Sequence, residues 1–306
     1  MYRTDLAIEA AKQIIKEGTS FDGCDIKEQT VDGIVITEVV VKTDEASEKI
    51  GKPKGKYITI DCPGIRTGEN EQYEIIKKHF TGYIKMFTKG KKNILVVGLG
   101  NRNITPDSLG PKVADGIIVT RHLIHKKLIT DDVPSVSAIS PGVLGITGIE
   151  TGEIINSVTK DIKPDMIIAI DALAARSIDR VTSTIQIGDT GIIPGSGIGN
   201  SRNAVTKDVL GVPVIAIGVP TVVDAATVAN DSLDMLKNAV KQSVGDNSEL
   251  FNAIEKLDNE NRHSLLKGIL TPATGNLIVT PTEIDSVIDD VSEIISESLN
   301  SCFLNI

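Results

Sequence analysis

A chain of 306 residues, 41% of them hydrophobic, can bury one large core or two smaller ones. Its formal net charge of −9 argues against direct binding to nucleic-acid phosphates, which draws on clustered Lys and Arg, and suits a basic partner instead. Three scattered cysteines (Cys24, Cys62, Cys302), no signal-peptide-like start and no apolar run of bilayer length predict a cytoplasmic protein with neither a disulfide framework nor a membrane partner.

Trp is absent and aromatic residues are few, so the core must be built from Ile, Val, Leu and Ala. That composition suits buried parallel strands covered by helices. Taken in chain order, Asp5 to Glu17 places Ala7, Ile8, Ala11, Ile14 and Ile15 on one face of a helix that Gly18 ends. Val31 to Val41 and Tyr57 to Asp61 are β-branched runs, read as two strands forming an antiparallel pair beside the core. Asn70 to Phe87 reads as a helix. The pattern then changes. Ile94 to Val97 is a short apolar run typical of a buried parallel strand, followed by the turn Gly98-Leu99-Gly100-Asn101.

A helix is predicted over Ser108 to Lys127, a strand over Ser135 to Ile139 and a helix over Gly152 to Ile162. Strands follow over Met166 to Ile170, Ser183 to Ile187 and Val212 to Gly218. Beyond Ala225 the chain reads as mainly helical, covering the sheet or forming an oligomer contact. The alternation predicts one α/β domain over residues 1–306: a mostly parallel sheet with helices on both faces, extra N-terminal strands and C-terminal helices.

Ligand sites in such sheets gather beyond the carboxyl ends of the strands. Two acidic residues fall there: Asp171, following Met166 to Ile170, and Asp107, in the loop after Ile94 to Val97. Two carboxylates in one cleft tend to share a proton, so that one activates water while the other protonates a leaving amine. Each aspartate could instead cap a neighbouring helix or turn. The Gly-Leu-Gly-Asn turn also invites a dinucleotide reading, but Asn103 stands where the third glycine is expected, and no acidic residue ends a strand about 20 residues on. No Walker A or G-x-S-x-G motif occurs. His122 and His125 lie three apart on a basic helix without a metal-site companion, and Cys62 has no histidine near it in sequence.

Several blocks resemble the spore germination protease family. They include Arg3-Thr4-Asp5-Leu6-Ala7-Ile8-Glu9-Ala10, Val96 to Asn101 with Thr105 to Pro111, and Ser140 to Gly148. Further blocks are Asp171 to Ser177, Gly197 to Arg202 and Gly211 to Asp224. The resemblance implies an endopeptidase of small acid-soluble spore proteins acting in the spore, a homotetramer, and a fold like that of hydrogenase maturation endopeptidases. It also implies that Asp107 and Asp171 are catalytic; no cofactor is expected. The relatives of that fold recognise nickel partly through a histidine after a late strand. Here Val219 to Asp224 contains none, so no metal site is expected, although Asp224 keeps weak metal binding open.

The family trims its own N-terminus at an acidic residue followed by an apolar residue, Ala, any residue and Glu. Asp5-Leu6-Ala7-Ile8-Glu9 fits that form, which implies a propeptide of residues 1–5 cut between Asp5 and Leu6. Gly98, Gly100, Asn101 and Gly142 lie in turns that offer backbone N–H groups to a substrate, and Asn101, Arg176, Asn200 and Arg202 are candidates for positioning it. A metal-dependent maturation-type peptidase, a peptide- or nucleotide-binding protein without catalysis and a phosphorylase-like enzyme remain alternatives at this point.

Overall fold

The computed structural model describes residues 4–16, 22–67, 70–130, 132–193, 204–244, 265–266, 268 and 277–304. Asn200 and Arg202 lie outside them. The described strands form a nine-stranded sheet in the order β1-β2-β3-β7-β8-β6-β4-β5, with β9 paired to β8. The parallel part is β5 (Ser135–Ile139), β4 (Asn93–Gly98), β6 (Met166–Ala175) and β8 (Val214–Asp224). Antiparallel strands extend it: β7 (Thr184–Gly188), β3 (Gly55–Asp61), β2 (Ile34–Val41) and β1 (Cys24–Val31), with the short β9 (Ile278–Val279) beside β8. The expected α/β architecture is therefore present, with its parallel pairings in the centre of a mixed sheet.

Alternation along the strands sorts side chains to two faces. Ile94, Val96, Ile168, Ile170, Ile215 and Ile217 point to a face covered by α4 (Asn70–Thr88), α5 (Leu109–Gly116) and the C-terminal helix α11 (Ile284–Leu304). Leu95, Val97, Ile167 and Ala169 point the other way, against α8 (Thr151–Ile162) and α9 (Lys207–Leu210). Farther along that second face, α1 (Ala7–Lys16) and α2 (Asp44–Ile50) cover Val39, Val41, Leu173 and Val223. The short helices α3 (Gly64–Thr67), α6 (Arg121–His125) and α7 (Leu144–Thr147) lie in connections, and α10 (Ala225–Val244) follows β8.

Three expectations change. The stretch Val31 to Val41 is not one strand: Asp32 and Gly33 both have positive φ, 51° and 81°, and turn the chain into a hairpin whose first strand is β1. The Asp-Gly pair is the residue signature of that turn. β1 is charged and mostly exposed, which makes it a poor template for edge pairing with another chain. The helix expected over Ser108 to Lys127 breaks after Gly116, where Ile117 is extended, and resumes as the one-turn α6. A glycine followed by Ile117, Ile118, Val119 and Thr120 combines low helix propensity with crowded β-branched side chains. Finally, β6 and β8 run beyond their apolar cores to Ala175 and Asp224.

Candidate active site

β4 stops at Gly98, which pairs with Ile170, while β6 continues. From this point the chain passes through α5, on one face, to β5, and returns through α8, on the other face, to β6. Such a switch point leaves a crevice at the strand ends. Asp171 is the residue just past the last β4–β6 pair, and Asp107 closes a 3-10 turn (Thr105–Asp107) in the loop after β4.

Three glycines let that loop fold back onto the strand end. A Cβ on Gly98 would lie 2.1 Å from the carbonyl oxygen of Gly110, and one on Gly110 would lie 2.2 Å from that of Leu99. Gly100, at φ +110°, likewise leaves no room against the Asp107 carbonyl. The Asn101 backbone N–H donates to the Asp107 carbonyl (3.0 Å) and to its Oδ2 (2.8 Å). The Leu99 N–H donates to Ile170. These amides are therefore engaged in building the loop. Gly98, Gly100, Asn101, Gly142 and Arg176 do not line the cleft described below. In the Gly142 loop, the Ile146, Thr147 and Gly148 amides are bonded within the turn, and the Gly142 carbonyl accepts from Thr151.

Neither aspartate stands at the N-cap position of a helix. Ser108, not Asp107, takes the N-cap position of α5. Asp171 lies inside β6, 6% exposed, and its Oδ1 accepts from the Ala172 N–H at 3.0 Å.

Both aspartates line one cleft of about 620 Å³ on the face between the α1–α2 and α8–α9 layers. Its floor is made of small residues on neighbouring strands: Gly188 pairs with Ala216, and Gly218 pairs with Gln186 on one side and Asp171 on the other. The missing side chain at Gly218 lets Leu173 pack across the strand, where an added Cβ would lie 2.3 Å from the leucine Cδ1. The Asp107 loop is tied to this floor by the Thr221 hydroxyl, which donates to the Pro106 carbonyl at 2.7 Å.

The N-terminal segment enters the same cleft. The Asp5 N–H donates to the Ala174 carbonyl (3.0 Å), and the Ala174 N–H returns a bond to the Asp5 carboxylate (2.9 Å). Lys52 Nζ donates to the Thr4 carbonyl at 3.1 Å. Burial pushes the Lys52 ammonium below its ordinary pKa, against the opposing pull of Asp5 and Glu9. Leu6 is fully buried among α1, α2 and strand residues. Glu9 anchors the segment from α1: its carboxylate accepts from the Arg176 N–H (2.7 Å), the Ser177 N–H (2.9 Å) and the Thr4 hydroxyl, with Arg180 Nε at 3.9 Å.

Sequence reasoning missed Gln186 and Lys52. Gln186 carried a visible signal, as the one amide in the run Thr184-Ile185-Gln186-Ile187, but nothing local says what it faces. The remaining candidates lie elsewhere. Cys62 is buried and its thiol pKa is pushed up by that burial. His79 faces Asp32 at 3.0 Å, away from the cleft. Asp224 caps the start of α10 by accepting from the Ala226 N–H at 2.8 Å. Among the described residues, no three His, Cys, Asp or Glu side chains converge as a metal site, and no helix is long and apolar enough to cross a membrane.

The germination protease family model matches residues 2–254 and 244–305. A germination protease of Clostridium acetobutylicum is 47% identical, the match covering 97% of this chain and 94% of that protein. One from Caldanaerobacter subterraneus subsp. tengcongensis is 45% identical over 97% of this chain and 93% of its own. Among solved structures, a NiFe hydrogenase maturation protease from Thermococcus kodakarensis KOD1 aligns with 71% of this chain and 98% of its own, at 16% identity and a TM-score of 0.36, too low to support any argument about the site. On the full-length identity to its relatives, this chain belongs to the germination protease family and, by that membership, is a protease.

Proposed function

We propose that this protease is an endopeptidase that degrades small acid-soluble spore proteins during germination, with Asp107 and Asp171 activating the attacking water between them. The observation that carries the reading is that both carboxylates line one cleft that the chain's own N-terminal segment also enters. One carboxylate takes a proton from water as its oxygen adds to the scissile carbonyl. The other, holding a proton, delivers it to the departing amine. Each peptide bond cut consumes one water.

The same chemistry applied in cis cuts Asp5–Leu6 and releases residues 1–5, so the chain is made as a zymogen. Added substrates are cut at the matching pattern, an acidic residue followed by an apolar residue, Ala, any residue and Glu. The enzyme works as a homotetramer in the spore interior, without a cofactor.

The test is digestion of a purified small acid-soluble spore protein, with products read by mass spectrometry, by wild type, Asp107→Asn and Asp171→Asn. The expected result is cleavage before apolar-Ala-x-Glu segments by wild type, with each variant slower by a factor on the order of 100 to 10,000 and still folded. Cleavage by all three at equal rates would move the chemistry to other residues. Size-exclusion chromatography with light scattering reads the assembly, and a mass other than that of four chains would exclude the tetramer.

A further inference from the structure

The bond assigned to self-processing is bracketed by a side chain with no part in the mechanism above. Gln186 lies in the centre of β7, between Ile185 and Ile187 of the core, and is 9% exposed. Its Nε2 donates to the Asp5 carbonyl oxygen at 3.2 Å, and its Oε1 accepts from the Ala7 backbone N–H at 2.7 Å. One amide thus holds the chain on both sides of the Asp5–Leu6 bond. The opposite amide orientation would set N–H against N–H and oxygen against oxygen, so the pairing itself fixes which end is which.

Gln186 also stands in register with Asp171. Both pair with Gly218, from opposite neighbouring strands, and both face the cleft. Two strand spacings set their backbones about 10 Å apart. Burying an amide on a central strand costs free energy unless both ends are satisfied, and here residues 5 and 7 satisfy them.

We propose that Gln186 is a substrate-positioning residue for self-processing, presenting the Asp5 carbonyl to the aspartate pair; this rests on the self-processing reading above. As water adds to the Asp5 carbonyl carbon, the π electron pair moves to the carbonyl oxygen, where the Gln186 N–H already points. When the C–N bond breaks, the Leu6 nitrogen takes a proton, leaving a carboxyl group on Asp5 and a free amine on Leu6. A hydrogen-bond donor fixed on an oxygen that gains charge accelerates such a step.

The alternative is that Gln186 only anchors the start of α1, since Ala7 is its first residue. Gln186→Glu and Gln186→Leu separate the two roles in the full-length chain. Loss of residues 1–5 is followed by intact-mass spectrometry from pH 4 to 8, beside digestion of an added small acid-soluble spore protein and thermal melts. Both variants are expected to process on the order of 100-fold more slowly than wild type near neutrality. For Gln186→Glu, the ratio to wild type should recover as pH falls, because a protonated glutamate again offers one donor and one acceptor. Gln186→Leu, unable to titrate, should stay slow, and it keeps β7 packed if the glutamate variant fails to fold.

Processing by either folded variant at the wild-type rate, or a Gln186→Glu ratio that does not change with pH, would overturn the positioning role while leaving self-processing intact. A wild type that digests the added protein but keeps residues 1–5 would overturn self-processing, and this inference with it.

Discussion

The Thr221 hydroxyl donates a 2.7 Å hydrogen bond to the Pro106 carbonyl, joining β8 to the residue immediately before Asp107. Thr221 is 1% exposed and lines the cleft, so no water competes freely for the bond. It is one of the contacts that hold the Asp107 loop to the sheet, beside the bond from the Leu99 N–H to the Ile170 carbonyl. Thr221→Val keeps the shape and removes the donor. Stability should fall by about 1 kcal/mol, while turnover falls on the order of 10-fold through misplacement of Asp107. Thr221→Ser should restore both. Parallel melts and kcat measurements check this, and equal turnover in all three proteins would show that the loop needs no tether.

The strand end tolerates no side chain at Gly98. Its added Cβ would meet backbone atoms, Gly110 oxygen at 2.1 Å and carbon at 2.4 Å, rather than a movable side chain. Gly98→Ala is expected to cost about 3 kcal/mol, at the upper end of overpacking effects. It should also lower activity by shifting the loop that carries Asp107. Urea denaturation gives the stability change directly. A cost under about 0.5 kcal/mol, within the range of ordinary surface substitutions, would mean that the loop moves easily.

Glu9 holds the N-terminal segment down through two backbone amides and the Thr4 hydroxyl. Glu9→Gln keeps an acceptor but loses the charge and one oxygen, and turns a donor toward backbone N–H groups. A loss of about 2 kcal/mol is expected, the size of a charge-assisted hydrogen bond. Protease sensitivity near residues 4–9 should rise in step. An unchanged urea midpoint would count against this anchoring.

Asp165 supplies a pH test. Its carboxylate accepts from the Lys92 and Asn93 backbone amides, both at 2.9 Å, and these bonds hold its pKa below the ordinary value of 3.8. A depressed folded pKa means that the carboxylate stabilises the fold fully above the unfolded value. That contribution disappears as pH falls through the folded pKa. Asp165 is exposed, so the contribution is below about 1 kcal/mol. Asp165→Asn should therefore be less stable than wild type at pH 7 and converge with it near pH 2. Urea midpoints at the two pH values decide the matter, and a gap that persists at low pH would point to packing rather than charge.

The elements legible in the sequence were those whose own residues announce them. Ile94 to Val97 and Met166 to Ile170 are continuous apolar runs, and both are buried parallel strands. Ala7, Ala11 and Ile14 recur at helical spacing and pack as α1. β1 was missed because Cys24 to Val31 is a polar edge strand with no apolar pattern to read, although Asp32-Gly33 marked its turn. The break after Gly116 was hidden because a long apolar stretch, Ile117 to Val119, continued the hydrophobic signal without continuing the helix.

Asp107 and Asp171 could be singled out as acidic residues near strand ends, because strand and loop boundaries are local properties of the chain. That they line one cleft was decided by the crossing of the chain from one face of the sheet to the other at β4. Gln186 shows the limit most plainly. Its partners Asp5 and Ala7 lie 181 and 179 residues away, and its alignment with Asp171 across Gly218 is a matter of register between strands. The residue pattern alone determined an acidic α/β chain with an aliphatic core and two well-placed carboxylates, since each segment encodes its own tendency to be buried. The tertiary structure alone decided what each polar group faces, since hydrogen bonds across a sheet depend on which strands pair and in what register.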